Sequence, residues 1–324
     1  MDGETNKAGG QRERVGRVVV IAGPTASGKS GLAAKLAARL GGFVVNADSR
    51  QVYAELDVGV AKPTAAQRAL ATHYLVGYRR LEDVCSAGAW AREARAVIEA
   101  GLAERRSERN PAPTAVVVGG TGLYVRALLE GIPDMPGVAP AIAERLEARL
   151  RREGIDALLA ELDRLDPVYG AHVDRRNGRR ITRALAVMEA GDGRTFTELR
   201  AQRGEPLGLP VHRILLEPDR DELYGRIDAR VDDMVASGLE EEARRLYPRR
   251  ALRSLATIGY REWWPTFAGE RSREAATADI KRATRHYARR QLTWNRRLEG
   301  LRLADPDVEA ALAYLAGDDD TRPR

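Results

Sequence analysis

Eight residues, Gly23-Pro24-Thr25-Ala26-Ser27-Gly28-Lys29-Ser30, have the types and spacing of a phosphate-binding loop. Gly23 and Gly28 permit backbone dihedrals that other residues avoid, so successive N–H groups can turn inward around an anion. Lys29 supplies a point charge for phosphate oxygens, and Ser30 places a hydroxyl where a magnesium ion would be ligated. The loop reads as a site for a di- or triphosphate. Asp48, followed by Ser49-Arg50-Gln51, closes the next apolar run. An acidic residue there can act as a general base or hold magnesium through water, although aspartate in such a loop also caps turns. A third stretch, Thr114-Ala115-Val116-Val117-Val118, runs into Gly119-Gly120-Thr121-Gly122 where a nucleotide hydrolase usually has a Walker-B aspartate. That replacement argues against ordinary nucleotide hydrolysis.

The elements that must position these residues follow from the hydrophobic pattern. Strands are predicted at 17–22, 43–47, 73–76, 114–118 and 211–216. Helices are predicted after the phosphate loop, where Leu32 to Leu36 recur at helical spacing, and at 86–104, 220–236 and 238–246, with a long one at 272–298; 57–67 is mostly loop. The helix after the phosphate loop stops at Gly41-Gly42. Because open parallel sheets bind ligands outside the carboxyl ends of their strands, Asp48 should face the phosphate loop across a crevice. Between 123 and 207 no strand pattern occurs. Helices are predicted there at 121–130, 140–153, 155–164 and 175–190, an arrangement best read as a helical insertion. The expected fold is α/β: a P-loop NTPase-like core of parallel sheet flanked by helices (17–130 and 208–316), with an all-helical insertion domain (131–207). A disordered tail (1–16) precedes it, and an acidic tail (317–324) follows a terminal helix.

The chain has 324 residues and a net charge of +6, and since it contains five lysines the basic excess is almost all arginine. Arginine favours planar, bidentate contacts with phosphate, which suits a polyanionic partner; a GC-rich genome would also enrich it. The densest basic cluster, Asp174-Arg175-Arg176-Asn177-Gly178-Arg179-Arg180-Ile181-Thr182-Arg183, lies in the insertion. On the 272–298 helix, Ile280, Ala283, Tyr287 and Trp294 form an inner face, and Arg282, Arg285 and Arg289 form a basic ridge. No acidic residue stands at helical spacing between 281 and 297, so a phosphate backbone is the expected counter-charge. The lone Cys85 excludes an intramolecular disulfide and fits a reducing cytosol. No apolar run reaches membrane-spanning length, so a cytoplasmic protein is expected.

Several motifs occur in order: the phosphate loop, Asp48-Ser49-Arg50-Gln51-Val52-Tyr53, Ala61-Lys62-Pro63-Thr64, Gly119-Gly120-Thr121-Gly122-Leu123-Tyr124, Arg183-Ala184-Leu185, Ile258-Gly259-Tyr260-Arg261-Glu262 and Thr284-Arg285-His286-Tyr287-Ala288-Arg289-Arg290-Gln291. Over about residues 17–300 the chain resembles the bacterial tRNA dimethylallyltransferases. The resemblance implies transfer of a dimethylallyl group from dimethylallyl diphosphate to N6 of the adenosine 3′ of the anticodon, in tRNAs reading codons that start with U. It makes residues 23–30 the diphosphate site, Ser30 the magnesium ligand, Asp48 the base toward N6, and Thr25, Lys29 and Arg230 its catalytic companions. It implies a flipped adenosine positioned by Ser49, Arg50, Gln51 and Thr121, with the anticodon stem held by Arg179, Arg180, Arg183, Arg282 and Arg285. A monomer is expected. The chain departs from the family at Val60, commonly threonine, at Ala186, commonly glutamate, and at Ala143, commonly arginine.

Three rival functions use some of the same features. An adenylate isopentenyltransferase would share loop and base but act on a free nucleotide, with no use for an arginine-rich insertion. A P-loop small-molecule kinase would bind ATP and leave the insertion unexplained. A non-catalytic RNA-binding protein would not need Thr25, Lys29 and Asp48 together.

Overall fold

The computed structural model describes residues 16–107, 110, 112–133, 135–202 and 204–320. The N-terminal tail expectation, except for residue 16, lies outside these residues, as do 321–324. Packing divides the chain into two units, one of the residues up to Leu128 together with those from Gly208, the other Leu129–Leu207.

The first unit is built on six parallel strands: β1 (Arg17–Ala22), β2 (Phe43–Asn46), β3 (His73–Tyr74), β4 (Thr114–Gly119), β5 (Val211–Leu216) and β6 (Leu301–Leu303), in the order β3-β2-β4-β1-β5-β6. β1 lies between β4 and β5, with Val19 opposite Val116 on one side and His212 on the other. Helices cover the strands, so the central ones are apolar on both faces: Val18, Val19, Val20 and Ile21 are fully buried, as are Ala115, Val116 and Val117. The chain leaves β1 in one direction, toward β4 and β2, and later in the other, toward β5. That reversal opens a crevice at the carboxyl ends of the strands.

Three helices pack near that crevice early in the chain: α1 (Lys29–Arg39), α2 (Ala65–Leu70) and α3 (Ala87–Arg105). α1 buries Leu32, Ala33, Leu36 and Ala37 against the sheet. α2 falls partly in the stretch predicted as loop; Thr64 and Gln67 form a reciprocal capping box that starts it. β3 is shorter than predicted because Leu75 turns into the left-handed region (φ 61°). α3 starts at the Ser86 cap, and its Trp90 donates an indole hydrogen bond to the Asn46 carbonyl at 3.1 Å. α4 (Gly122–Glu130) follows the glycine-rich end of β4.

The second unit contains α5 (Pro140–Leu165), α6 (Pro167–His172), α7 (Gly178–Glu189) and α8 (Phe196–Ala201). Two predicted helices merge into α5 with a break at Gly154, whose φ of 81° lies outside helical space. Leu146, Leu158, Leu162, Ile181, Leu185, Val187 and Leu199 form this unit's own core. Ala186 belongs to that core at 3% exposure, so a glutamate there would bury an unpaired charge. Asp166 caps α6 and also accepts two hydrogen bonds from Thr197, which pins α8; these contacts hold its carboxyl below the usual range against the upward push of burial.

After β5 the first unit resumes with α9 (Arg220–Ala236), α10 (Leu239–Leu246), α11 (Trp264–Phe267), α12 (Arg273–Asn295) and α13 (Val308–Asp320). Helix α13 runs through four residues of the expected acidic tail, because Ala311 and Leu315 pack into the sheet's core and carry the helix outward. Among the described residues no helix is long and apolar enough to cross a membrane.

Candidate active site

The phosphate loop joins β1 to α1 and wraps the first turn of that helix. Gly28 is its N-cap at φ 81°, in the left-handed region, as expected; Ala26 takes the same region at φ 62°. Gly23 does not, which corrects the reading of its role. Its glycine answers a close approach: a Cβ would lie 2.8 Å from Ser27 Oγ and 3.0 Å from Leu216 Cβ. Ala26, at the loop's tip, packs against Leu223, Ile227 and Ala288, so the α9–α12 pair supports the loop.

Two adjoining cavities lie at the strand ends. One, of about 170 Å³, is lined by Gly28, Lys29 and Ser30, with Gln51, Gln67, His73 and Gln291. The other, of about 290 Å³, is lined by Ser49, Arg50, Arg261, Thr284 and Arg290, with an apolar wall of Ile227, Val231, Met234, Ile258 and Ile280. Thr25, Asp48, Val60, Arg230 and Tyr287 line both. Leaving-group and acceptor chemistry could therefore meet at Thr25, Asp48 and Arg230.

Asp48 uses its two oxygens differently. Oδ1 accepts the backbone N–H groups of Arg50 at 2.8 Å and Gln51 at 3.4 Å, while Oδ2 has no hydrogen-bond partner among the described residues. The turn-capping and functional readings of this residue are thus compatible, because one oxygen fixes the carboxylate and the other remains available. Lys29 Nζ donates to the Pro24 carbonyl at 3.0 Å. Burial and the Arg230 charge push its ammonium down from 10.5 to about 8, against a smaller upward pull from Asp48. Burial also lowers Arg230, again opposed by Asp48. Two desolvated cations thus share one nearby carboxylate, an arrangement that favours an added anion.

Of the remaining expected residues, Ser49, Arg50 and Gln51 reach the cavities, but each is also tied to the protein. Arg50 donates to the Ser254 carbonyl at 3.2 Å, and Gln51 donates to Val60 and Ala61. Thr121 lines neither cavity; its hydroxyl accepts the Ser49 N–H at 3.0 Å and so positions that loop. Gly23, Pro24 and Ser27 form the buried back of the phosphate loop. Arg179, Arg180 and Arg183 lie on the exposed face of α7.

The expectation that the α12 ridge lacks internal counter-charges is overturned at Arg282 and Arg285. Arg285 pairs with Asp228 at 2.5 Å, Arg282 with Asp279 at 2.8 Å, and Lys281 with Asp232 at 2.7 Å. Two of these carboxylates come from α9, and Asp279 lies on α12 itself, three residues before Arg282.

Four polar site residues on α12 received no functional role from the sequence: Arg290, and the trio Thr284, Tyr287 and Gln291. The members of that trio recur at i, i+3 and i+7, a polar line beside the buried Ile280 and Ala288, and that pattern was the available signal. Burial and the nearby Asp48 push the Tyr287 phenol up to about 12, so it faces the crevice as a neutral hydrogen-bonding group.

The sequence model of a family described as IPP transferase matches residues 51–298. The chain is 46% identical over 299 residues to the tRNA dimethylallyltransferase of Anaeromyxobacter sp. (strain K), covering 91% of this chain and 95% of that protein. The chain belongs to the tRNA dimethylallyltransferase family. A crystal structure of the full-length tRNA isopentenylpyrophosphate transferase from Bacillus halodurans is similar with a TM-score of 0.65 and 32% identity, covering 94% of this chain and 95% of that one. A eukaryotic dimethylallyltransferase acting on tRNA shares the fold at a TM-score of 0.79 and 23% identity, over 95% of this chain and 80% of its own. The family model begins at Gln51 and ends three residues beyond α12, so it takes in Arg230 and the Thr284–Tyr287–Gln291 line. The phosphate loop and Asp48 precede its first matched residue, yet the full-length relatives cover nine-tenths of this chain.

Proposed function

We propose that this protein transfers a dimethylallyl group from dimethylallyl diphosphate to the N6 amine of an adenosine beside the anticodon of tRNA, releasing diphosphate. The observation that carries the reading is the junction of the two cavities, where Asp48 Oδ2, Thr25 and Arg230 stand between the phosphate loop and an acceptor space with an apolar wall. The diphosphate would lie against the loop amides, Lys29 and Arg230, and the five-carbon chain against Ile227, Val231 and Ile280. As the N6 nitrogen attacks the allylic carbon, the carbon–oxygen bond to diphosphate breaks. Lys29 and Arg230 take up the charge that develops on the leaving oxygen, and Asp48 Oδ2 receives the amine proton. Because the base is stacked in the anticodon loop, it must be flipped out to reach Asp48.

The donor set suits magnesium. Among the described residues no three or more histidine, cysteine or acidic side chains are grouped so as to hold a metal ion, whereas Ser30 and Asp48 line the same cavity. Magnesium binds readily through a hydroxyl, one carboxylate and substrate phosphates, and would help neutralise the diphosphate. We take the protein to act as a monomer, and the reaction belongs where tRNA is held, in the cytoplasm. The exposed arginines of α7 would grip the RNA backbone.

Incubation with labelled dimethylallyl diphosphate and either tRNA or AMP tests the proposal. Label should enter tRNA at an adenosine and leave AMP unmodified. Prenylated AMP would make the protein an adenylate isopentenyltransferase, and no transfer to either would refute both.

A further inference from the structure

We infer that Gln291 is a positioning residue that sets the distance between the diphosphate-binding and base-bearing sides of the crevice; the inference rests on the prenyl-transfer reading above. Gln291 is 7% exposed, near the end of α12. Its Oε1 accepts the Thr25 N–H at 2.9 Å, and its Nε2 donates to the Gly120 carbonyl at 3.0 Å. The two partners fix the amide's orientation, since an N–H can only meet the oxygen and a carbonyl only the nitrogen. One side chain thus ties the phosphate loop to the end of β4.

The tie continues to the base. Thr121, next to Gly120, accepts the Ser49 N–H at 3.0 Å, and its own N–H donates to the Ala47 carbonyl at 3.3 Å. Ala47 and Ser49 flank Asp48. On the other side, Pro24 has no N–H, so the Thr25 N–H is the first available in the loop after Gly23. Gln291 takes that donor and holds the backbone of Thr25, a residue that lines both cavities.

The residue type at Gly120 fits the same contact. Its φ is not in the left-handed region, so backbone freedom does not explain the glycine. A Cβ there would lie 1.9 Å from Gln291 Nε2. The glycine leaves room for the amide, and a side chain would expel it.

The test compares Gln291→Met, Gly120→Ala and the double variant with wild type. Four quantities are read: single-turnover prenyl transfer to tRNA, affinity for inorganic pyrophosphate, affinity for tRNA, and melting temperature. Misplacement of reacting groups by an ångström costs up to ~10²-fold in rate, so each single variant should react about 10–100-fold more slowly. Both affinities should stay within about threefold, because the binding groups themselves remain. The double variant should be no slower than the slower single, since both changes remove one tie. A folded Gln291→Met protein reacting within about threefold of wild type would overturn the inference. So would multiplicative losses in the double variant, or affinities and melting temperature that fall in step with rate, the behaviour of a merely structural residue. Should Gln291→Met not fold, Gln291→Glu keeps the acceptor for Thr25, removes the donor to Gly120, and should lose rate in the same way. Wild-type protein that transfers no prenyl group to tRNA would instead sink the functional reading, whatever the variants do.

Discussion

Lys29 gives the crevice a pH dependence that can be worked from its surroundings. Burial and the Arg230 charge bring its ammonium from 10.5 to about 8. Between those values the unfolded chain holds a proton that the folded protein has released. Charging Lys29 thus costs the folded state about 3 kcal/mol, present in full below pH 8 and relieved as pH rises from 8 toward 10.5. A bound diphosphate supplies the missing counter-charge and pushes Lys29 back up, so binding above pH 8 takes up a proton. Affinity for inorganic pyrophosphate should fall about 20-fold between pH 7.5 and 9.5 through this group alone. Calorimetry at constant free magnesium, in two buffers of different ionisation enthalpy, measures both the affinity and the proton uptake. The Lys29→Ala protein experiences the ligand's own titration and supplies the baseline. Equal pH slopes and equal proton uptake in the two proteins would refute the reasoning, because Lys29 would then not titrate against the ligand.

Further outcomes follow from other residues. Asp48→Asn keeps the Oδ1 acceptor of the turn but cannot take up the amine proton; its single-turnover rate at saturating tRNA should drop ~10²–10⁴-fold with tRNA binding retained, and a rate within about tenfold of wild type would assign Asp48 to orientation. Replacing Arg179 and Arg180 by alanine should weaken tRNA binding and flatten the plot of log affinity against log salt by about 1.5, whereas an unchanged slope would remove both from the RNA interface. Tyr260→Phe removes the hydroxyl that donates to the buried Glu242, whose oxygens also accept the N–H groups of Asp57 and Val58 beside Val60; denaturant titration should show a loss of about 1.5–3 kcal/mol, and a loss below about 0.5 would mean the tyrosine is held by packing alone.

What was legible in the sequence was local and periodic. The phosphate loop, Asp48 at a strand end and the strand at 211–216 each rest on a pattern spanning a few residues. The short helices α2, α6 and α8 carried comparable signals in Thr64 with Gln67, Asp166 before Pro167, and Thr195 with Glu198. The first and last are capping boxes, but the apolar runs behind all three were too short to register. β6 has three residues, and what makes it a strand is its register with Ile214 to Leu216, more than eighty residues earlier.

The α12 ridge shows why contacts between elements escaped. Helical spacing relates only residues of one helix, yet Lys281 and Arg285 meet Asp232 and Asp228, 49 and 57 residues away. A partly exposed pair contributes about 1 kcal/mol or less to stability, but each carboxylate still cancels a charge that RNA would otherwise feel. With Arg282 and Arg285 matched in place, Lys29 and Arg230 remain as desolvated cations that share the single nearby carboxylate of Asp48. An electrostatic site first read along the helix surface is therefore concentrated at the junction of the two cavities, where the leaving group's charge would develop.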